Sequence, residues 1–445
     1  MPTHILGINA FHGDSSAAIL ADGQLVAAVE EERFNRVKHW AGFPVESIRF
    51  CLAEAGIRAA DLDHVAVSFD PSKNLGRKIL FTLFNRPSIK SLIDRAKRMG
   101  KSTGIRTSLA EACGCEEGDI GAEIHNVEHH AAHIASAFHL SPFEESAILS
   151  VDGMGDFVST VLAEGAGTQT ERFAQVYYPH SLGFLYNVLT MFLGFPKYGD
   201  EYKVMGLACY GKPRFLQEFR QIAYPQGDTF ELNLDYFTHH EKGVSMSWEG
   251  GEPVIQPYHS QKMEELFGPP HPPRTELTER EEDIACSLQA VSEELIFHLL
   301  NRLHEKCPSD NLCLAGGVAM NSVANGKITE HTPFKNLYVP AGAADNGTSF
   351  GAAYHVWHNV LNNARQFHLD HAYLGTQYKE PDYAAAIEAN GLVPQRFEQD
   401  ELLDKTVDAL CDGKVVGWFQ GRMEFGARAL GNRSILYPAQ EPEVN

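Results

Sequence analysis

The sequence has no long hydrophobic run. None of its apolar stretches approaches the ~18 consecutive residues that a membrane-spanning helix needs. The first twenty residues lack the basic start, the apolar core and the small-residue cleavage site of a secretory signal. We therefore expect a soluble protein of the cytoplasm.

Cysteine is sparse and scattered, with eight residues along the chain. The one close pair, Cys113 and Cys115, lacks the C-x2-C spacing of zinc sites and redox motifs. The sequence gives no sign of a disulfide framework or of a cysteine-ligated metal. We expect the cysteines to be reduced thiols.

Positive charge is also in short supply. The chain has 37 lysines and arginines against 58 acidic residues, which gives a formal net charge of −21. A surface of that charge repels phosphate backbones and anionic lipid heads. We expect neither nucleic acid nor a membrane as a partner, and an anionic ligand has to be bound by local groups.

What the sequence does contain is a disguised repeat of two strand-rich segments. Residues 5–34 predict a strand, a polar turn, a second strand, an Asp-Gly hairpin turn and a third strand, and residues 147–173 predict the same order. In each copy the first strand ends at a small polar residue, Asn9 or Asp152, before a turn that contains another acid. This pattern predicts a duplicated α/β fold with a ligand cleft between two similar halves.

The remaining pattern divides the chain into two domains. The clearest helix is predicted at residues 276–305, where apolar residues recur at three-to-four spacing behind a T-E-R-E capping box, and a buried strand that breaks into Gly-Gly follows at 311–321. Residues 214–274 are polar and irregular, and we interpret them as an insertion in a first domain that spans residues 1–365. Residues 366–445 predict two more helices and a strand, which begin a second α/β domain.

Five of the 21 histidines lie within residues 125–139. If this segment is helical, His129 and His133 lie four positions apart on one face, where both rings can offer a nitrogen to one divalent metal ion. Alone, such a pair is equally compatible with surface or capping histidines, but two acids favour the metal: Asp152 at a strand end and Asp345 in a turn of small residues. Two imidazoles and two carboxylates suit a borderline metal such as iron, manganese or zinc.

Two glycine-rich segments indicate a nucleotide. Backbone can approach a phosphate or an adenosine only where side chains are absent, and residues 314–321 and 342–351 supply two such approaches. Neither matches the P-loop or the G-x-G-x-x-G pattern, and either one alone equally fits tight helix–strand packing. Together with the repeated hairpins they resemble the superfamily of actin-like ATPases and sugar kinases, in which a nucleotide lies between two similar halves.

Longer motifs make the resemblance specific. Segments spread from residue 5 to residue 436, among them GINAFHGDSSAAIL at 7–20, EHHAAH at 128–133 and ADNGTSFGAA at 344–353, resemble the O-carbamoyltransferases of nodulation-factor and antibiotic biosynthesis, the NodU/CmcH type. That family joins an actin-like (ASKHA) domain, similar to the tRNA threonylcarbamoyl transferase, to a YrdC-like domain similar to the threonylcarbamoyl-adenylate synthase. The resemblance implies that the second domain makes carbamoyl-adenylate from carbamoyl phosphate and ATP with Mg²⁺. The first domain would then transfer the carbamoyl group to a hydroxyl of a small molecule.

The resemblance also implies a transfer site in the first domain. The positions that match the family's metal site, for which iron is expected first and manganese or zinc as alternatives, are His129, His133, Asp152 and Asp345. His12 matches the histidine expected to take the proton of the acceptor hydroxyl, because an alcohol is a poor nucleophile until a base removes that proton. Asp14 is expected to orient His12.

Phosphate and nucleotide contacts are implied for a further set of residues. Those expected at the nucleotide are Lys203, Gly316, Gly317, Asn321 and Gly347. Arg428 and Arg433 belong to a motif that in the family binds carbamoyl phosphate or ATP phosphates, which a guanidinium can grip with two parallel hydrogen bonds. For these two arginines an interdomain salt bridge is the alternative.

The chain departs from the family pattern in two places. Ala427 stands where the motif G-P-R-A-L-G has proline, which removes no functional group. The 80 residues of 366–445 are too few for the whole adenylate-forming domain, so we expect only its N-terminal part and no unaided synthesis of carbamoyl-adenylate. Two alternative functions remain: an actin-like small-molecule kinase or ATPase, which would not require the paired histidines, and a non-catalytic subunit.

Overall fold

The computed structural model describes residues 2–85, 104–244, 246–248 and 250–438. Its contacts divide the chain into two compact units, Met1–Leu369 and Asp370–Asn445. Among the described residues no helix is both long enough and apolar enough to cross a bilayer.

Within the described residues, the first unit contains both strands and helices. Its strands are β1 (His4–Asn9), β2 (Ser16–Ala21), β3 (Gln24–Glu30), β4 (His64–Val67), β5 (Glu123–Asn126), β6 (Glu145–Gly155), β7 (Val158–Ala166), β8 (Gln169–Tyr177), β9 (Ala223–Gln226), β10 (Thr229–Leu232), β11 (Met246–Ser247), β12 (Val254–Ile255), β13 (Asn311–Ala315) and β14 (Asn336–Tyr338). Its helices are α1 (Glu32–Asn35), α2 (Val45–Ala55), α3 (Leu75–Asn85), α4 (Ile105–Cys113), α5 (His129–Phe138), α6 (Leu182–Phe192), α7 (Glu201–Leu207), α8 (Leu216–Ile222), α9 (His239–Lys242), α10 (Gln261–Phe267), α11 (Glu279–Lys306), α12 (Ser322–Asn325), α13 (Ile328–His331) and α14 (Thr348–His355).

Two five-stranded sheets of this unit have the same topology. The first has the order β3–β2–β1–β4–β5 and the second the order β8–β7–β6–β13–β14. In each sheet the first three strands along the chain form an antiparallel meander, and the two later strands pair in parallel beside the first. The shared order confirms the predicted duplicated, actin-like α/β fold.

The hairpin of the first repeat has the turn that its sequence predicts. Asp22 and Gly23 both have positive φ, +47° and +79°, as the tightest hairpin turn requires at its two central residues. In the second repeat the paired part of β6 is interrupted after Val151 and resumes at Gly155. Asp152 therefore directly follows the regular pairing, on backbone that is free to turn its carboxylate out of the ladder.

Two helices cross between the sheets. Helix α5, from the first half, packs on β6 and β13 of the second sheet, whereas α14, from the second half, packs on β1, β2 and β4 of the first. The two helices also pack on each other, and a Cβ added at Gly351 of α14 would lie only 2.0 Å from the carbonyl oxygen of Ala132 in α5. Glycine at this crossing permits a backbone-to-backbone approach that no larger residue allows.

Helix boundaries follow local capping chemistry. Helix α11 begins behind the predicted capping box, with Thr278 and Glu281 as reciprocal partners. Helix α5 begins at Glu128, whose carboxylate accepts hydrogen bonds from the backbone N–H groups of His130 and Ala131. The helix that carries the paired histidines therefore has a fixed first turn.

The interpretation of residues 214–274 as polar and irregular is wrong. This segment contains α8, the β9–β10 and β11–β12 hairpins, α9 and α10. Its aromatic side chains are buried in the main hydrophobic cluster of the first unit, among them Phe219, Phe230, Phe237 and Phe267. These residues are separated by polar stretches, so no continuous periodicity marks them, and only tertiary packing collects them.

The second unit contains α15 (Glu380–Ala389), α16 (Gln399–Cys411) and an antiparallel hairpin of β15 (Val416–Phe419) with β16 (Arg433–Leu436). The predicted helices and first strand lie within a few residues of these bounds. The loop between β15 and β16 carries the motif with Ala427. Its backbone is held by Glu424, whose Oε1 accepts from the N–H groups of Leu430 and Asn432 at 2.8 and 2.7 Å.

Candidate metal centre

Four donor side chains from three parts of the first unit converge at one point. His129 and His133 lie one helical turn apart on α5, which confirms the predicted helix and its shared face. Asp152 projects from β6 where regular pairing stops, and Asp345 lies in a single 3-10 turn, Asp345–Gly347, that leads into α14. All four side chains are buried, and their donor atoms lie within 4.8 Å of one another.

The distances between the donor atoms are short and even. The Nε2 atoms of His129 and His133 are 3.1 Å apart. The Nε2 atom of His129 lies 3.3 Å from Asp152 Oδ2 and 3.5 Å from Asp345 Oδ1, and that of His133 lies 4.0 and 3.4 Å from the same two oxygens. Four donors thus face a common interior point.

This donor set fits the metal that the resemblance implies. Bonds of 2.0–2.2 Å in a tetrahedral centre place donors about 3.3–3.6 Å apart, close to the separations seen here. Among the residues that the structure describes, buried Asp345 Oδ1 has no hydrogen-bond partner, as expected of an oxygen that faces a cation. Burial by itself raises carboxyl pKa values, but the neighbouring imidazoles lower the pKa of Asp152 to about 2 and that of Asp345 well below its usual range. Both acids are therefore anionic at neutral pH.

Neighbouring backbone fixes the ligands. Gly317 N–H donates to Asp152 Oδ1 at 2.8 Å, and the backbone N–H of His129 donates to Asp156 Oδ2 at 3.0 Å. A Cβ at Gly155 would lie 2.0 Å from the His129 ring, so the D-G-M-G-D turn needs glycine there. Hydrogen bonds and packing contacts around the ligating residues set the orientation of their side chains.

His12 lies beside the centre, in the loop between β1 and β2. Its Nδ1 atom is 2.5 Å from Asp345 Oδ2, and its ring centroid is 5.8 Å from that of His129. Burial lowers the pKa of His12, but the charge and the hydrogen bond of Asp345 outweigh it and raise that pKa above the ordinary value. The side chain keeps 38% of its surface accessible, so the ring is held at one nitrogen and open elsewhere.

Asp14 does not orient His12 as expected. Its Oδ1 lies 2.7 Å from Nδ1 of His39, and the carboxylate that holds His12 belongs to Asp345. Burial lowers the pKa of His39, but Asp14 and then Glu32 raise it to about 9, so the pair is ionic at neutral pH. Closeness in sequence favoured Asp14, whereas the fold brings Asp345, a residue distant in sequence, to His12.

Tyr198 is a site residue that sequence reasoning missed. A Cβ at Gly13 would lie 2.6 Å from its hydroxyl oxygen, and its ring meets His39 edge-on at 5.4 Å. Burial, followed by the charges of Asp345 and Asp14, raises the pKa of Tyr198 well above its ordinary value. The phenol thus stays protonated and can donate a hydrogen bond. No motif in the sequence marks it.

The predicted nucleotide glycines have close packing roles. Gly316 has a φ of +92°, and a Cβ there would lie 2.1 Å from Val151 O. The backbone N–H of Gly317 donates a hydrogen bond to the Asp152 carboxylate. A Cβ at Gly347 would lie 1.7 Å from Gly342 O. These glycines are therefore required for tight packing, which was the alternative interpretation of the two glycine-rich segments. Their contact with a nucleotide stays a prediction.

The two polar side chains predicted at the nucleotide have partners within the chain. Lys203 Nζ lies 2.7 Å from Asp200 Oδ1. Asn321 exchanges two hydrogen bonds with Gln289, at 3.0 and 3.1 Å, and its Oδ1 also accepts from the N–H of Ala324 at the start of α12. Asn321 thus ties α11 to α12.

In the second unit Arg433 is engaged by its own hairpin. Its guanidinium donates to the carbonyl oxygens of Gln420 and Thr376 at 2.6 and 3.2 Å and stacks on Phe419 at 3.6 Å. Burial lowers the pKa of Arg433, against the raising effect of Glu424. Arg428 lies exposed on the loop that Glu424 organises. The phosphate contacts expected of these arginines stay a prediction.

One further histidine of the cluster is structural. His130 is fully buried between Ser150 Oγ and Val158 O, at 2.8 and 3.1 Å, and burial lowers its pKa to about 3. It is therefore neutral and joins α5 to the second sheet.

The fold and the centre together define a class. The first unit is an actin-like α/β domain: two sheets of equal order are crossed by two helices. Where the halves meet, two histidines and two aspartates form a group that could hold a metal ion. Residues 4–354 match the family described as Carbamoyltransferase N-terminus, and residues 407–445 match Carbamoyltransferase C-terminus. The chain belongs to the carbamoyltransferase family.

Individual relatives are similar over most of the chain. An uncharacterised protein of Synechocystis is 39% identical over 98% of this chain and 71% of its own length. Nodulation protein NolNO of Sinorhizobium fredii is 35% identical over 96% of this chain, which spans only 58% of that relative. Among solved structures, T. kodakarensis HypF aligns with 81% of this chain and 48% of its own at 15% identity and a TM-score of 0.41.

Proposed function

We propose that this protein transfers a carbamoyl group to a hydroxyl of a small molecule, with carbamoyl phosphate and ATP as the source and carbamoyl-adenylate as the activated donor. Membership of the carbamoyltransferase family supports carbamoyl transfer. The observation that carries the hydroxyl acceptor is the contact of His12 with Asp345 at the edge of the metal centre. A neutral amine is nucleophilic enough to react without a general base, whereas an alcohol needs a base to take its proton.

The contact with Asp345 supports one arrangement of protons on the His12 ring. Because Nδ1 faces the anionic Asp345 at 2.5 Å, Nδ1 carries the proton and Nε2 keeps its lone pair. Nε2 takes the proton of the acceptor hydroxyl as the oxygen attacks the carbamoyl carbon. The bond from that carbon to the adenylate phosphate oxygen breaks, and AMP leaves. Asp345 stabilises the imidazolium that forms, as an acid paired with a catalytic histidine does.

The residues that would hold the metal ion are His129, His133, Asp152 and Asp345. A divalent ion there supplies positive charge against which the phosphate of the leaving AMP is stabilised. We favour iron, with manganese and zinc as alternatives that the same donors accept. Tyr198, whose raised pKa keeps its phenol neutral, is suited to donate a hydrogen bond to the carbamoyl or phosphate oxygens.

The second unit is proposed as part of the adenylate-forming domain, where ATP with Mg²⁺ and carbamoyl phosphate bind. Its loop with Arg428 is the segment that the family's C-terminal match includes. The chain spans 58% of the length of NolNO, so the assay below supplies carbamoyl-adenylate separately.

The test is a transfer assay on the purified chain. Carbamoyl-adenylate is made in situ by the second domain of a longer relative from carbamoyl phosphate and ATP, and a panel of polyhydroxylated acceptors is read by mass spectrometry. We expect a mass increase of one carbamoyl group. His12→Asn should slow transfer by roughly 10²–10⁴-fold, the usual effect of a positioned general base, and keep its metal.

The matched control is His298→Asn, since His298 is half-buried and lies 3.1 Å from the loop carbonyl oxygen of Gly227. It should transfer like wild type. A phosphate ester in place of the carbamate would establish the kinase alternative. Undiminished turnover by His12→Asn would show that His12 is not the base.

A further inference from the structure

A second group of metal-type donors lies at the edge of the first sheet, outside the centre described above. Strands β4 and β5 run in parallel with His64 opposite Glu123, and His125 follows two positions later on the same face of β5. The three donor atoms, His64 Nδ1, His125 Nε2 and Glu123 Oε2, all lie within 4.8 Å of one another. The proposed transfer reaction uses none of them.

The geometry resembles that of the first centre. The two imidazole nitrogens face each other at 3.0 Å, against 3.1 Å for His129 and His133. Glu123 Oε2 lies 3.8 Å from both nitrogens. A tetrahedral ion with bonds of about 2.0–2.1 Å needs donor separations of about 3.3 Å. The two histidine nitrogens are slightly too close and the carboxylate oxygen is slightly too far, so binding needs a small separation of the rings and a small rotation of Glu123.

Burial explains why the carboxylate has more freedom to move than the two rings. The side chains of His64 and His125 keep 15% and 12% of their surface, whereas Glu123 keeps 69%. Two imidazoles are therefore fixed by the sheet, and a mobile acid stands at the solvent side. A hydrogen bond between neutral rings accounts for the 3.0 Å contact by itself, but it does not use the carboxylate that lies equally distant from both rings.

We propose that His64, Glu123 and His125 form a second metal site, which takes a divalent cation of the zinc type with water in the fourth position. Two imidazoles and one carboxylate with an open position are a donor set that zinc accepts. The ion would tie β4 to the edge strand β5. Because β5 ends only three residues before His129, the bound ion would also steady the start of the helix that carries the first centre.

The test counts zinc ions per chain. The full chain is freed of metal with a chelator, dialysed against low micromolar zinc, and analysed by elemental mass spectrometry. Glu123→Ala and His64→Gln should each bind one ion fewer than wild type. Their matched controls, Glu117→Ala and His298→Gln, remove an exposed acid and a half-buried histidine elsewhere and should bind as many ions as wild type.

Because the result is a difference between variant and wild type, zinc taken up by the first centre cancels. Glu123 is largely exposed, so its alanine variant keeps the fold even if the His64 variant does not. Zinc should also raise the melting temperature of wild type more than that of Glu123→Ala. Equal zinc content in wild type and Glu123→Ala would overturn the proposal.

Discussion

At the scale of single residues, Asp345 joins two functions. One oxygen faces the two histidines of the centre, and the other holds Nδ1 of His12. A change in charge at the centre should therefore alter how strongly Asp345 attracts the proton on His12, the proposed base. Asp14, the acid close to His12 in sequence, pairs instead with His39 and contributes a separate ionic contact.

We predict that removing one donor of the centre removes its ion. His129→Ala or Asp345→Ala removes one of the four coordinating side chains of a buried site, so the binding of the ion should weaken strongly. Elemental analysis of the purified proteins should show roughly one transition-metal ion in wild type and a large loss in both variants.

Asp14→Ala is the matched control for these substitutions. It removes an aspartate of the loop between β1 and β2 that pairs with His39, and it should keep the metal. Equal metal in wild type, His129→Ala and Asp345→Ala would disprove the four-donor centre.

At the scale of elements, the crossing of α5 and α14 positions the centre. Helix α5 carries both histidines, and α14 follows directly from the turn that carries Asp345. The distance between the two helices therefore sets the separation between imidazole and carboxylate. Gly351 permits that distance, because a Cβ there would lie 2.0 Å from Ala132 O.

We predict that Gly351→Ala destabilises the protein by about 1–3 kcal/mol, because the extra methyl group forces the helices apart in a packed interior. Chemical denaturation measures this free energy. Metal affinity should fall with it, since the donors separate.

Gly206→Ala provides the comparison. Gly206 lies in α7 with no atom within 4 Å of an added Cβ, so alanine should stabilise that helix by about 0.5–1 kcal/mol. If the two substitutions have the same effect, the crossing at Gly351 is not tight.

At the scale of the whole molecule, the two units differ in how much core they contain. The hydrophobic clusters of the first unit draw their buried residues from Leu6 to Ala343 and include side chains of both sheets and of the 214–274 segment. Helices α15 and α16 of the second unit contain no buried residue. The four donors of the centre all belong to the first unit.

We predict that a chain ending at Leu369 folds and keeps the metal. Its core and all four donors are present, so its metal content should equal that of the 445-residue chain, and its melting temperature should change by no more than a few degrees. Elemental analysis and calorimetry check both values. A shortened chain that aggregates or binds no metal would show that the first unit is not independent.

The sequence by itself determined the local and the repeated features. Strand alternation predicted the hairpins of both repeats, and the Asp-Gly pair predicted the tight turn of the first. Helical spacing placed His129 beside His133, and the capping box placed the start of α11. Each of these features depends on contacts within a few residues, where backbone geometry and side-chain pattern are enough to specify the structure.

Only the tertiary structure decided which distant residues meet. It gave His12 the carboxylate of Asp345, more than three hundred residues away, and left Asp14 to His39. It brought Tyr198 to the site and buried the scattered aromatic residues of 214–274. The physical reason is that such contacts depend on how two sheets and two crossing helices pack, and no local pattern in the chain records that packing.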